Sequence, residues 1–155
     1  MDWIAVTGTV MGTVIGVGST LVTDRVRWRR DSAERDREAL RSVYVLFLEA
    51  LAQARDVVSH ASQEVDLPDA ERAQLVRTVI KDYRVYTRQY ELELIAPPPA
   101  VTKAKDAAWK LALYRDVVAQ GATRDDTACV EARRALRAAR NSLMETMRAT
   151  LKRLT

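Results

Sequence analysis

The sequence predicts an all-α protein in which an amino-terminal transmembrane helix continues into an up-down bundle of about four helices. Three observations predict this fold. Twenty consecutive residues, from Trp3 to Val22, carry no charge. Downstream, apolar side chains recur every three or four residues, which is the period of an α-helix facing a core. Beyond residue 18, the chain holds only one glycine and four prolines, a composition that favours helices.

The uncharged segment predicts three regions: a transmembrane helix over residues 1–23, a charged juxtamembrane stalk over 24–39 and a helical bundle over 40–155. A helix of twenty residues is about 30 Å long, which matches the hydrocarbon core of a bilayer. Positively charged flanks stay in the cytoplasm, and here the basic flank follows the segment: Arg25, Arg27, Arg29 and Arg30. We therefore expect a single-pass protein of the cell membrane, with its amino terminus outside and its carboxyl-terminal domain cytoplasmic. The alternative is a soluble protein that buries its first helix in its own core or in an oligomer.

Four of the five glycines lie in "GTVMGTVIGVGST", residues 8–20. A phosphate-binding P-loop requires a lysine that this stretch lacks. Three of the glycines are instead spaced by four, so a helix would place them on one face. That face continues as a stripe of small residues: Ala5, Gly8, Gly12, Gly16 and Ser19. Such a stripe favours packing on a second copy or on a partner's span in the membrane lipid, and the alternative is a monomeric anchor.

The bundle is predicted to begin at Leu40. An amphipathic helix should run to about Asp66, facing the core with Leu40, Val43, Phe47, Leu51, Ala54 and Val58. A second helix should start around Pro68 and run unbroken to Leu94, with one inward stripe of Leu75, Val79, Tyr83, Tyr86 and Tyr90. The prolines of "APPPA" end it, because proline and the residue before it resist helix continuation.

A third helix is predicted from about Pro99 to Gln120, with Gly121 as its stop. Thr123 and Asp126 have the spacing of a capping box that starts a fourth helix. That helix should face the core with Ala128, Ala132, Ala135, Leu136, Ala139, Leu143, Met147, Leu151 and Leu154. Its other face is basic, with Arg133, Arg137 and Arg140 in line. Nucleic acid, anionic lipid or plain solvent would each suit this face, and we favour solvent.

The sequence contains no recognisable catalytic, cofactor-binding or metal-binding motif, so we expect no enzyme activity and no cofactor. His60 and Glu64 lie one turn apart, but the E-x-x-H motifs of di-metal bundles are missing. The lone cysteine, Cys129, excludes an internal disulfide and is expected to be a core residue. No nucleophile elbow or other motif supports a Ser-His-Asp or Cys-His site.

The stretches "DRVRWRRDSAERDREAL", "YVLFLEALAQA" and "LELIAPPPAVTKAKDAAW" resemble a group of small actinobacterial proteins. These have an amino-terminal apolar segment, a W-R-R-like basic flank and a helical domain. The resemblance implies the same organisation here, and it assigns no activity to any residue. We therefore expect a membrane-anchored interaction or scaffold module that meets a cytoplasmic protein. The alternative is a soluble basic helical protein that binds nucleic acid.

Overall fold

A computed structural model describes residues 34–64 and 66–153 of the 155-residue chain. Contacts divide the chain into two units, Met1–Glu38 and Ala39–Thr155. Residues 34–38 of the first unit are helical, and the described part of the second unit contains no strand. The predicted transmembrane helix, its stripe of small residues (Ala5, Gly8, Gly12, Gly16 and Ser19) and its basic flank (Arg25, Arg27, Arg29 and Arg30) lie outside the described residues.

The second unit is a helical bundle, which confirms the all-α class. Its helices are α1 (residues 39–63), α2 (Asp69–Arg77), α3 (Val79–Asp82), α4 (Val85–Ile95), α5 (Pro98–Ala119) and α6 (Thr127–Arg153). Helix α5 lies at the centre and packs against α2, α4 and α6. Its position follows from small buried residues, because alanine side chains let neighbouring helices approach closely. These are Ala100, Ala104, Ala107, Ala108 and Ala112.

The predicted inward face of α1 is confirmed. Most of its stripe is buried, and Val43 is partly buried against the same core. The third and fourth helices were also predicted closely, since α5 covers Pro98–Ala119 and α6 buries Leu136, Ala139, Leu143 and Met147. Ala128 is an exception: it is exposed, because it lies in the first turn of α6, at the edge of the core.

The predicted unbroken second helix is wrong. The structure divides it into α2, α3 and α4, with breaks at Thr78 and at Tyr83–Arg84. Arg84 has φ 55° and ψ 32°, a left-handed conformation that ends one helix and turns the chain into the next. Because the helix is interrupted twice, the three- and four-residue period of one stripe does not continue through the whole segment.

The inward stripe proposed for that helix is therefore also wrong in part. Val79 is buried and Tyr83 is half-buried, but Leu75, Tyr86 and Tyr90 are exposed. The residues that enter the core instead are Val76, Ile80, Val85 and Leu92. Large apolar side chains consequently remain on the outside of α4 and α5, including Leu94 at 83% exposure and Trp109 at 58%.

Gly121 ends α5 as predicted. Its φ is 98°, its N–H donates to the Val118 carbonyl at 3.0 Å, and the N–H of Ala122 donates to the Val117 carbonyl at 3.3 Å. This pair of hydrogen bonds is a Schellman motif, and it requires a residue that tolerates positive φ.

At the start of α6, the predicted capping interaction is present in one direction. The N–H and the hydroxyl of Thr123 both donate to the Asp126 carboxylate, at 2.6 and 3.0 Å.

Within residues 34–64 and 66–153, no helix combines the length and the apolar character that crossing a bilayer requires. The segment for which we predict a span, residues 1–23, is outside these ranges.

A candidate anion-binding groove between α1 and α6

Helix α6 arranges three arginines along one line. Arg133, Arg137 and Arg140 are separated by four and three residues, so they follow one another on successive turns of the helix. Their line runs beside the buried residues Leu136 and Ala139, which fix α6 against the core. Arg133 and Arg140 are half-buried, whereas Arg137 is exposed.

Helix α1 provides the opposite wall. Arg55 and Ser59 are one turn apart and face the groove together with Asp56. The guanidinium of Arg55 is already engaged: its Nε donates to the Asp56 carboxylate at 2.9 Å, and its Nη2 bonds to the same oxygen. This pair is partly exposed and neutralises one of the groove's positive charges.

The groove has a volume of about 350 Å³. Its lining residues are Arg55, Asp56, Ser59, Tyr114, Arg133, Leu136, Arg137, Arg140 and Asn141. Four of them are cationic and one is anionic. Pockets that bind small ligands in proteins are typically about 300 to 1,000 Å³, so a small anionic group fits this volume.

The three arginines of α6 have no anionic partner among the described residues, whose ion pairs all involve other cations. The Nε of Arg140 is in addition buried without any hydrogen-bond partner in that part of the chain. A buried donor on a charged group costs free energy when it is unpaired. Like charges one turn apart on a helix also repel each other. An anion in the groove would relieve the repulsion between these arginines.

The floor of the groove is Tyr114, whose side chain is fully buried in α5. Its hydroxyl lies 3.4 Å from the hydroxyl of Ser62, which in turn donates to the Ser59 carbonyl at 2.7 Å. This chain of polar groups ties the floor to the α1 wall. The groove is consequently built on rigid helices rather than on loops.

Cys129 lies behind the floor and does not line the groove. It is fully buried, which confirms the prediction of a core residue. Burial raises the pKa of its thiol, and hydrogen bonding to Ser62, the charge of Arg133 and hydrogen bonding to Tyr114 lower that pKa only in part. A buried, protonated thiol is a poor nucleophile. The geometry thus gives Cys129 a packing role.

His60 and Glu64 are brought together on the surface, with 3.7 Å between the imidazole Nε2 and a carboxylate oxygen. Both side chains are largely exposed. Over the described ranges, no set of three or more His, Cys, Asp or Glu side chains is placed to hold a metal ion.

The structure places the predicted basic face of α6 along this groove, with Arg133 and Arg140 half-buried and Arg137 exposed. The sequence indicated one wall of the groove, through the spacing of the arginines on α6. The α1 residues gave no signal, because nothing in the sequence indicates which side of α1 faces α6.

No family model, no curated protein and no solved structure matches this chain.

Proposed function

We propose that this protein is a single-span membrane protein of the cell membrane whose cytoplasmic helical bundle is an interaction module that binds an anionic partner in the groove between α1 and α6. The observation that carries the binding site is the line of three arginines without ion-pair partners in the described residues, one of them with a buried unpaired Nε. The membrane anchor is inferred from the uncharged segment 3–22 and from the arginines that follow it.

The composition of the groove favours binding over catalysis. It holds four guanidinium groups, and a guanidinium offers hydrogen-bond donors but no acceptor. Asp56 is the only carboxylate in the lining, and it is bonded to Arg55. The groove thus presents fixed positive charge and hydrogen-bond donors, which recognise an anion.

Membrane anchoring is tested on membranes from cells that express the full chain. After an alkaline carbonate wash, the protein should stay in the pellet, because a spanning helix is held by its apolar contacts with lipid. Protease added to intact cells should leave the carboxyl-terminal region uncut. Release by carbonate, or digestion from outside, would contradict the anchor or its orientation.

The small-residue stripe is tested in the same membranes. Gly12→Ile should reduce crosslinking between copies or to a partner span, because a bulky side chain separates the two backbones. Val14→Ile, on the bulky side of the same segment, is the matched control. Equal crosslinking in both variants would show that the stripe makes no contact.

Binding of an anionic partner by the groove is tested with the full chain in non-ionic detergent. Two titrants are used, a hexaglutamate peptide and inorganic phosphate. At least one should bind saturably, and Arg137→Gln should weaken that binding, since Arg137 lines the groove. Arg134→Gln removes the same charge from the neighbouring exposed residue outside the groove and should have little effect.

Nucleic-acid binding remains the second candidate, on the basis of the sequence pI of about 9.5 and the same arginines. It predicts retention on DNA or RNA that falls steeply with salt, because phosphate contacts release counterions. The groove favours a small anion instead, since its only aromatic residue, Tyr114, is buried and offers no exposed ring on which bases stack. Retention that survives Arg137→Gln would separate this candidate from the groove.

A further inference from the structure

We infer that the groove between α1 and α6 is a site for a phosphomonoester dianion, carried by a soluble molecule or by a lipid headgroup. This inference rests on the proposed function, because it names the chemical class that the anion-binding groove takes.

Charge is the first argument. The Asp56 carboxylate pairs with Arg55, and Arg133, Arg137 and Arg140 form no ion pair within the described residues. A carboxylate would bring one negative charge to these three cations. A phosphomonoester brings about 1.5 to 2 negative charges at neutral pH and three acceptor oxygens. The dianion therefore matches the uncompensated charge of the groove more closely than a single carboxylate does.

Hydrogen-bond geometry is the second argument. Each guanidinium is a planar fork that binds two oxygens of a phosphate at once. Arginines on successive turns of α6 can approach a tetrahedral group from different directions, which a planar carboxylate cannot exploit. The neutral polar groups of Ser59 and Asn141 line the same space and add hydrogen bonds to the remaining oxygens.

Shape is the third argument. The groove is concave and about 350 Å³ in volume, and helices form its walls. This space holds a phosphate together with part of the molecule that carries it. A flat basic surface, which would attract any polyanion, has no such walls.

The test uses the full chain in non-ionic detergent and four titrants. They are inorganic phosphate, the short-chain lipids dihexanoyl phosphatidic acid and dihexanoyl phosphatidylglycerol, and a hexaglutamate peptide. Phosphatidic acid carries a phosphomonoester, whereas phosphatidylglycerol carries a phosphodiester with a single charge. We expect saturable binding of inorganic phosphate and phosphatidic acid, and binding of phosphatidylglycerol that is about tenfold weaker or more.

Two variants keep the test specific. Arg137→Gln should weaken phosphate binding about tenfold or more, the loss of one charge-assisted contact, and Arg134→Gln should change it less than about twofold. Far-UV circular dichroism establishes that both variants are folded. Phosphatidic acid that binds at least about tenfold more tightly than inorganic phosphate would identify a lipid headgroup as the source. Equal affinity of the two would identify a soluble phosphomonoester.

The inference is overturned if phosphatidylglycerol binds as tightly as phosphatidic acid, or if the two arginine variants weaken binding equally, since either result indicates unspecific charge attraction. If hexaglutamate binds in an Arg137-dependent manner and phosphate does not, the phosphomonoester inference fails and the anion-binding groove of the proposed function stands. If no titrant binds, both fail.

Discussion

The guanidinium of Arg72, near the start of α2, donates a 3.0 Å hydrogen bond to the carbonyl of Gly121, the residue that ends α5. Arg72 is 2% exposed, and all five of its N–H donors have acceptors. Besides Gly121, these are the carbonyls of Ala61, Glu64 and Leu67 and the carboxylate of Asp69. One side chain thus satisfies carbonyls at the ends of α1 and α5 and in the loop between α1 and α2.

We expect Arg72→Met to lower the free energy of unfolding by about 3 to 5 kcal/mol, because it leaves several buried carbonyls without donors. Arg72→Lys should recover only part of this loss, since an ammonium group has three donors and no planar fork. Thermal unfolding of the full chain in detergent measures the effect. Arg77→Met, at an exposed residue of the same helix, is the control and should change stability by less than about 0.5 kcal/mol.

Gly121→Ala should lower the free energy of unfolding by about 1 to 2 kcal/mol, because the φ of 98° is unfavourable for a residue with a Cβ. A Cβ at this position would also lie 3.2 Å from the carboxyl group of Asp69. The same substitution in an Asp69→Ala background removes the steric part and keeps the backbone part. An unchanged melting temperature for Gly121→Ala would contradict the role of this residue as the end of α5.

Arg84 is the only non-glycine residue with positive φ in the described part of the chain. Arg84→Gly should therefore keep or raise the free energy of unfolding, by up to about 1 kcal/mol, because glycine tolerates the left-handed conformation. Gln74→Gly, at an exposed position inside α2, should lower it by about 1 kcal/mol. If both glycine substitutions destabilise equally, Arg84 does not hold the break between α3 and α4.

Arg140→Met should raise the free energy of unfolding by about 1 kcal/mol in the absence of ligand, because it removes a buried donor that has no partner. The same change should weaken phosphate binding. Arg134→Met, at an exposed position, should alter neither quantity. A gain in stability with a loss of binding is expected of a residue kept for function, and a loss of stability in Arg140→Met would contradict this account.

Burial raises the pKa of Cys129, so the folded protein keeps the thiol proton at pH values where the unfolded chain loses it. This contribution to stability is fully present below the ordinary thiol pKa of about 8.5 and is lost as pH rises through the pKa of the folded state. We expect the difference in unfolding free energy between the native chain and Cys129→Ala to shrink from pH 7.5 to pH 9.5. A thiol reagent should modify native Cys129 slowly and unfolded Cys129 quickly; fast modification of the folded protein would contradict its burial.

The all-α class and the main helices could be predicted because their signals are local. The period of Leu40, Phe47, Leu51 and Val58 makes one face of α1 apolar, whatever it packs against. The prolines of "APPPA" and Gly121 end helices through their own backbone preferences. Such signals need no knowledge of the neighbouring helices.

The breaks around Thr78 and Arg84 could not be predicted, because neither residue is a helix breaker. Helical propensity favours one unbroken helix there. The structure instead divides the segment into α2, α3 and α4, and the side chains that reach the core are those of Val76, Ile80, Val85 and Leu92. The role of Arg72 was hidden for a similar reason, since its five acceptors come together only when α1, α2 and α5 have packed.

By itself, the sequence determined where α1, α5 and α6 form and which side of α1 and α6 is apolar, because periodicity and proline or glycine act within one segment. It also placed three arginines on one line of α6. Only the tertiary structure decided that this line faces Arg55 and Ser59 across a groove and that Arg140 keeps a buried donor there. The physical reason is that the side chains of both helices, packed against each other, set how one helix is rotated relative to the other. No single segment encodes that rotation.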